Sequence, residues 1–267
     1  MIEILKTVTM RCYKTLAMWL LRPMLRHEWK VRSRRRINER PIEYAYALKW
    51  ISRTCPSEVL DVGSGATAWP QVMADCGLHV TGIDEKRAYW KGGFFNRHYL
   101  IIDDDITATR LVGSFDLITC ISVLEHIPDH AAAVAGMCRL LRPGGRLLLT
   151  FPYNERRYVS NVYDLPASGY GKDYPFICQV FSRKECDEWL KDNAARLVDE
   201  ELYEVFSGEL WTFGERIYPP RESTRTGKHH LACVLLEKLD ERPLPARAGE
   251  KCGLAPNQAL TRNRECM

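Results

Sequence analysis

The stretch "VLDVGSGATAWP", residues 59–70, runs from an apolar segment through two glycines to a proline suited to the first turn of a helix. A glycine turn of this kind leaves backbone N–H groups bare for a ligand. Gly63, Ser64, Gly65, Thr67 and Ala68 satisfy G-x-G-x-x-G/A, and Asp84 follows about 20 residues on, which reads as a dinucleotide site. Asp61 opposes that reading. A pyrophosphate seated on the turn would meet a carboxylate two residues before the first glycine, a repulsion of several kcal/mol in a partly dry pocket. A ligand carrying an ammonium and a sulfonium but no phosphate is attracted instead. S-adenosylmethionine has these groups: its ammonium suits Asp61 and its ribose hydroxyls suit Asp84. An aspartate just after a strand also suits a turn or N-cap role, and both readings stand at this point.

The elements that would hold these residues alternate along the chain. "EVLDV" (58–62), "HVTGID" (79–84), "YLIID" (99–103), "FDLITCI" (115–121) and "RLLLTF" (146–151) are short apolar strands. Helices are expected from the glycine turn to about Cys76, with Gly77 as C-terminal cap, and over 129–141, stopped by Pro143-Gly144-Gly145. The pattern predicts an α/β fold: a Rossmann-like, doubly wound, mostly parallel sheet with helices on both faces. An aromatic, loop-like insertion follows the fifth strand at about 153–181. Ser182 and Glu185 then form a capping box for a helix, and "LACVLLEKL" (231–239) reads as a last strand. Upstream, residues 37–54 form a helix with Tyr44, Ala47, Leu48 and Ile51 on one face. Residues 1–36 read as one or two short helices divided by Pro23 and ending in "RSRRR". The expected organisation is therefore a helical arm or lid over 1–54, a cofactor-binding domain over 55–239 and a flexible tail over 240–267.

Four segments, "VLDVGSGAT", "VTGIDEK", "DLITCISVLEHIPDH" (116–130) and "LLRPGGRLLLTFP" (140–152), occur in this order over about 95 residues. Together they resemble the class I S-adenosylmethionine-dependent methyltransferases. The resemblance implies that Asp61, Gly63 and Gly65 hold the methionine end, with Ser64 in the same loop. It makes Asp84 the ribose acid, with Glu85 beside it. Asp105 and Ile106 would hold the adenine, with Asp104 as the alternative register. Ile121 and Ser122, next to Cys120, would floor the cofactor. The family's third glycine is replaced by Thr67, whose hydroxyl is available for a ligand carboxylate. His126 stands past the fourth strand, where a general base for a hydroxyl acceptor belongs; its ordinary pKa of about 6.5 fits that task as well as it fits simple packing. Glu125 is expected to hold backbone. Some quinone-precursor O-methyltransferases carry Glu-x-x-Glu-His at this point and can bind a divalent ion. Here Ser122-Val-Leu-Glu125-His126 lacks the first acid, so no metal is expected.

Charge and composition narrow the partners. Residues 1–40 hold eleven Lys/Arg against three Asp/Glu, a net of +8; with +4 overall, the remainder is −4. A nucleic-acid footprint on that body is not expected. No Asn/Asp-Pro-Pro-Tyr follows the fourth strand, which sets aside the amino-group methylases of adenine and of protein amides. The ten cysteines show no C-x-x-C pair or zinc-ligand spacing and read as free thiols of a cytoplasmic protein. No membrane span is expected, because "LAMWLL" (16–21) is far shorter than the ~20 apolar residues required. Residues 1–36 suit either a lid or a basic amphipathic contact with an anionic membrane. The leading function is methylation of an oxygen on a small molecule or glycan, the aromatic insertion serving as a substrate wall. The alternatives are an NAD(P)-dependent oxidoreductase and a non-catalytic cofactor-binding scaffold.

Overall fold

The described residues form eight strands, most of them apolar runs flanked by turns: β1 Glu58–Val62, β2 His79–Asp84, β3 Ile101–Asp103, β4 Phe115–Ile121, β5 Leu141–Pro152, β6 Ala195–Phe206, β7 Arg216–Ser223 and β8 Leu231–Lys238. The computed structural model describes residues 2–32, 37–85 and 96–240. One sheet contains all eight strands in the order β3-β2-β1-β4-β5-β8-β6-β7. The first five run parallel, and β8, β6 and β7 add antiparallel pairs. The order reverses between β1 and β4, the point in an open α/β sheet where ligands bind beyond the carboxyl ends of the strands.

Among the described residues, five helices accompany the sheet: α1 Ile2–Arg32, α2 Arg40–Thr54, α3 Trp69–Asp75, α4 His130–Leu140 and α5 Arg183–Asp192. Alternate strand residues divide between two cores. Leu60, Ile118, Leu147, Leu149 and Val234 pack with α4 and α5 on one face. Val59, Leu117, Leu148, Cys233 and Leu235 pack with α2 and α3 on the other. The expected capping box is present, with the Ser182 backbone N–H and hydroxyl both donating to Glu185 Oε2 at 2.9 and 2.6 Å.

Two expectations change, and two strands appear that the sequence reading did not assign. Pro23 does not divide the N-terminal arm: within residues 1–36 the described helix α1, Ile2–Arg32, runs unbroken through it. Proline removes one i→i−4 hydrogen bond without stopping a helix whose other turns remain bonded. Residues 195–206 and 216–223 are strands. Asp199, Glu200, Glu201 and Glu204 hide the alternation of β6, and their charge is met by Lys49, Arg183, Arg225 and Lys228. β7 carries Pro219 and Pro220, which only an edge position tolerates. On α2, the buried residues are Glu43, Tyr46, Ala47 and Ile51, whereas Leu48 is exposed. Residues 33–36 of the basic run and the tail past Asp240 lie outside the described residues.

Candidate active site

The glycine loop leaves β1 at the reversal of strand order. Gly63 and Gly65 both take left-handed backbone angles, φ +73° and +53°, which a residue without Cβ adopts without strain. The Gly63 and Ser64 N–H groups donate to the Ile83 carbonyl, and Gly65 N–H donates to Asp84 Oδ2 at 2.8 Å. The ribose acid of the sequence reading thus already grips the loop. Asp61 lies beneath it, 3% exposed, accepting the hydroxyls of Ser64 and Thr119 at 2.7 Å each. These bonds give it the turn role that its place after the strand suggested. Burial pushes it up to about 6, hydroxyl donors oppose that and nearby Asp84 adds to it, so it is mostly ionised at neutral pH. Thr67 departs from expectation: its hydroxyl donates to the Ser64 carbonyl at 2.8 Å, so that proton is committed to the loop.

Further acids gather at the ends of β2 and β3. Glu85 is raised by burial and then by Asp105, Asp103 and Asp84, which places these carboxylates within one electrostatic neighbourhood. Asp105 caps a short turn by accepting from the Thr107 N–H and hydroxyl at 2.8 Å. Asp104 accepts the Thr109 hydroxyl, so both candidate adenine acids have local partners. Ile106 is buried, and its carbonyl lies where a Cβ on Gly136 of α4 would fall, at 2.2 Å. The donor set suits a cationic, hydroxyl-bearing ligand and repels a diphosphate.

The sequence reading expected a lid here but not the contacts through which α2 forms it. On α2, Tyr44 stacks on Trp69 at 4.6 Å and hydrogen-bonds Thr67, covering the glycine loop. Glu43 is fully buried; its Oε1 accepts the hydroxyls of Ser122 at 2.5 Å and Thr150 at 2.7 Å, and its Oε2 meets Arg40 at 3.1 Å. Arg40 also donates to the Ile121 carbonyl at 2.9 Å. The Ser122 hydroxyl therefore faces α2, on a backbone held at φ +48°. Asn96 clamps the loop from outside, donating to the carbonyls of Gly65 and Thr67 at 2.9 Å each. A helix pattern assigns charged residues to the water face, so nothing in the sequence flagged Glu43.

His126 sits in a short turn after β4, partly exposed, with Phe176 of the insertion edge-on at 4.6 Å. Its Nδ1 lies 2.6 Å from the Ile177 carbonyl, an acceptor only, which fixes the proton on Nδ1 and makes Nε2 the basic nitrogen of the neutral ring. Burial lowers its pKa, favouring that neutral form. Glu125 Oε1 is 3.8 Å from Nε2, whereas Oε2 is buried without a hydrogen-bond partner. Burial pushes Glu125 up to about 8, so at neutral pH the contact joins two neutral groups and is no ion pair. A carboxyl raised on folding stabilises the fold fully below its unfolded pKa, and that stability is lost as pH rises through about 8. Glu125→Gln cannot ionise. In urea titrations it should gain on the wild type by about 1 kcal/mol or more between pH 5 and 8.5; a pH-independent difference would refute the burial argument.

The insertion both packs and lines. Tyr153, Tyr163, Val180 and Phe181 are buried, whereas Tyr170 and Tyr174 are exposed; Tyr163 and Tyr174 both meet Phe176, which meets His126, and Tyr170 meets Tyr163. Among the described residues, no group of three or more His, Cys, Asp or Glu side chains is placed to hold a metal ion.

The sheet order, the glycine loop at its reversal and the acid closing β2 define the Rossmann-like fold of class I methyltransferases. The comparisons agree: the chain belongs to the methyltransferase-domain family, whose sequence profile matches residues 32–203. The ubiquinone biosynthesis O-methyltransferase of Aromatoleum aromaticum is 36% identical over 125 residues, 42% of this chain and 53% of that protein. The protein of the same description from Albidiferax ferrireducens is 37% identical over 109 residues, 37% of this chain and 43% of its own. The chain spans about half the length of the curated relatives it matches. The crystal structure of Burkholderia thailandensis 1,6-didemethyltoxoflavin-N1-methyltransferase, with 1,6-didemethyltoxoflavin and S-adenosylhomocysteine bound, shares the fold. Its TM-score is 0.51 at 17% identity, covering 74% of this chain and 78% of that one.

Proposed function

We propose that this chain is an S-adenosylmethionine-dependent methyltransferase acting on an oxygen of a small molecule or glycan. The observation that carries the reading is the Gly63–Thr67 loop tied by Gly65 to Asp84, with the Asp61 carboxylate buried beneath it. When bound there, S-adenosylmethionine supplies a methyl group on a sulfonium sulfur, a good leaving group that needs no activation by the protein. Asp84 and Glu85 hold the ribose, Asp104 or Asp105 with Ile106 the adenine, and the glycine loop from Gly63 to Thr67 the methionine end. Tyr44 and Trp69 exclude water above the loop. His126 Nε2 takes the acceptor hydroxyl's proton, a role its neutral form permits. The aromatic side chains from Tyr163 to Phe176 offer faces to a ring or sugar. Two relatives named as ubiquinone biosynthesis O-methyltransferases support an oxygen acceptor on a small molecule. Residues 1–36 carry the second element of the proposal, a peripheral contact with a membrane.

Incubating the protein with methyl-labelled S-adenosylmethionine and acceptor pools should label a hydroxyl compound. With that acceptor in hand, His126→Ala should slow transfer about 10²–10⁴-fold while S-adenosylhomocysteine affinity stays unchanged. An undiminished rate would remove the base assignment, and binding without any transfer would favour a scaffold.

A further inference from the structure

We propose that α1 lies in the headgroup plane of an anionic bilayer, binding acidic phospholipid with its basic side while its apolar side enters the acyl boundary. The inference rests on the membrane reading of residues 1–36 and is independent of methyl transfer. No side chain described on α1 is buried: Ala17, Leu21 and Leu25 are half-covered and the others are exposed. Among these, Tyr13, Trp19 and Trp29 are 67%, 69% and 73% exposed, with Leu16, Met18 and Leu20 all above half. Exposed apolar side chains in this number on a single helix mark a binding surface.

The arrangement favours lipid. At 100° per residue, Tyr13, Leu16, Leu20 and Met24 share one side of the helix, whereas Arg11, Arg22, Arg26 and Lys30 lie on another. Trp19 and Trp29 fall with the basic residues, the level at which indole rings sit in a membrane interface. Between Ile2 and Arg32 there are seven Lys/Arg and two Asp/Glu, and Arg34, Arg35 and Arg36 follow in the sequence. Two copies of α1 side by side would oppose like charges, which disfavours a helix dimer. At 31 residues the helix is about 46 Å long, enough to cross a bilayer core. Its charges forbid that: among the described residues, no helix is long and apolar enough to cross a membrane. A basic, apolar, non-spanning helix of this length lies along the interface.

The test is sedimentation of the full chain with vesicles of phosphatidylcholine alone and of phosphatidylcholine with phosphatidylglycerol. The chain should pellet with the anionic vesicles only, and high salt should release it. Trp19→Ala with Trp29→Ala should weaken binding about tenfold or more through lost apolar burial. Arg22→Glu with Arg26→Glu should abolish binding; all four positions are on α1, so the α/β core and its circular dichroism should be unchanged. S-adenosylhomocysteine affinity, measured on the same samples, should be equal in all variants. A wild-type chain that binds S-adenosylhomocysteine yet stays in the supernatant overturns the inference. So do equal binding to both vesicle types and an α1-dependent dimer in light scattering. Lipid binding without S-adenosylhomocysteine binding would instead leave this inference standing and sink the methyl-transfer reading.

Discussion

Replacing Asp84 with alanine is expected to weaken S-adenosylhomocysteine binding about a hundredfold, since hydrogen bonds to a charged group contribute about 1.5–3 kcal/mol. Two losses combine. The proposed ribose hydroxyls lose their acceptor, and Gly65 N–H loses the carboxylate oxygen 2.8 Å away that shapes the loop. Asp84→Asn separates them. An amide oxygen can still accept from Gly65 N–H but carries no charge, so the loop should persist and affinity should fall less than for alanine. Calorimetry on both variants, beside thermal unfolding of each, checks the argument. Equal affinity in wild type and Asp84→Ala would mean that the carboxylate serves the loop alone.

A second large effect is expected at Gly63. An added Cβ would stand 2.4 Å and 2.5 Å from the two methyl carbons of Val123, and the backbone there is at φ +73°. Left-handed backbone costs an alanine about 1–2 kcal/mol, and forcing an extra methyl into a packed contact costs about 1–3 kcal/mol more. Gly63→Ala should therefore lose about 2–5 kcal/mol of stability by urea unfolding. Val123→Ala in the same chain removes the overlapping methyls and should recover the packing part but not the backbone part. Additive losses in the double variant would show that Val123 does not hold the loop.

Much of this was legible in the sequence. β1, β2 and β4 are short apolar runs bounded by turns, and the glycine loop with Asp84 has the spacing of a cofactor turn. The strands that were missed had their alternation hidden: β6 by acids whose cationic partners lie far along the chain, and β7 by two prolines acceptable only at an edge. The lid was expected from the sequence, but its buried contacts were illegible for the same kind of reason. Glu43 is buried because two hydroxyls at the ends of β4 and β5, and Arg40 one turn before it, meet its oxygens. That match is tertiary, and no periodicity announces it. Asp61 lay between the two cases: its place was visible, but the Thr119 hydroxyl that holds it below the loop came only with the β1–β4 pairing.

Titration calorimetry on separate samples, one with S-adenosylhomocysteine and one with NAD, shows whether the carboxylate under residues 63–67 selects an ammonium-bearing cofactor over a diphosphate. Saturable binding of the first and no heat from the second are expected. Binding of NAD without binding of S-adenosylhomocysteine would overturn that selectivity.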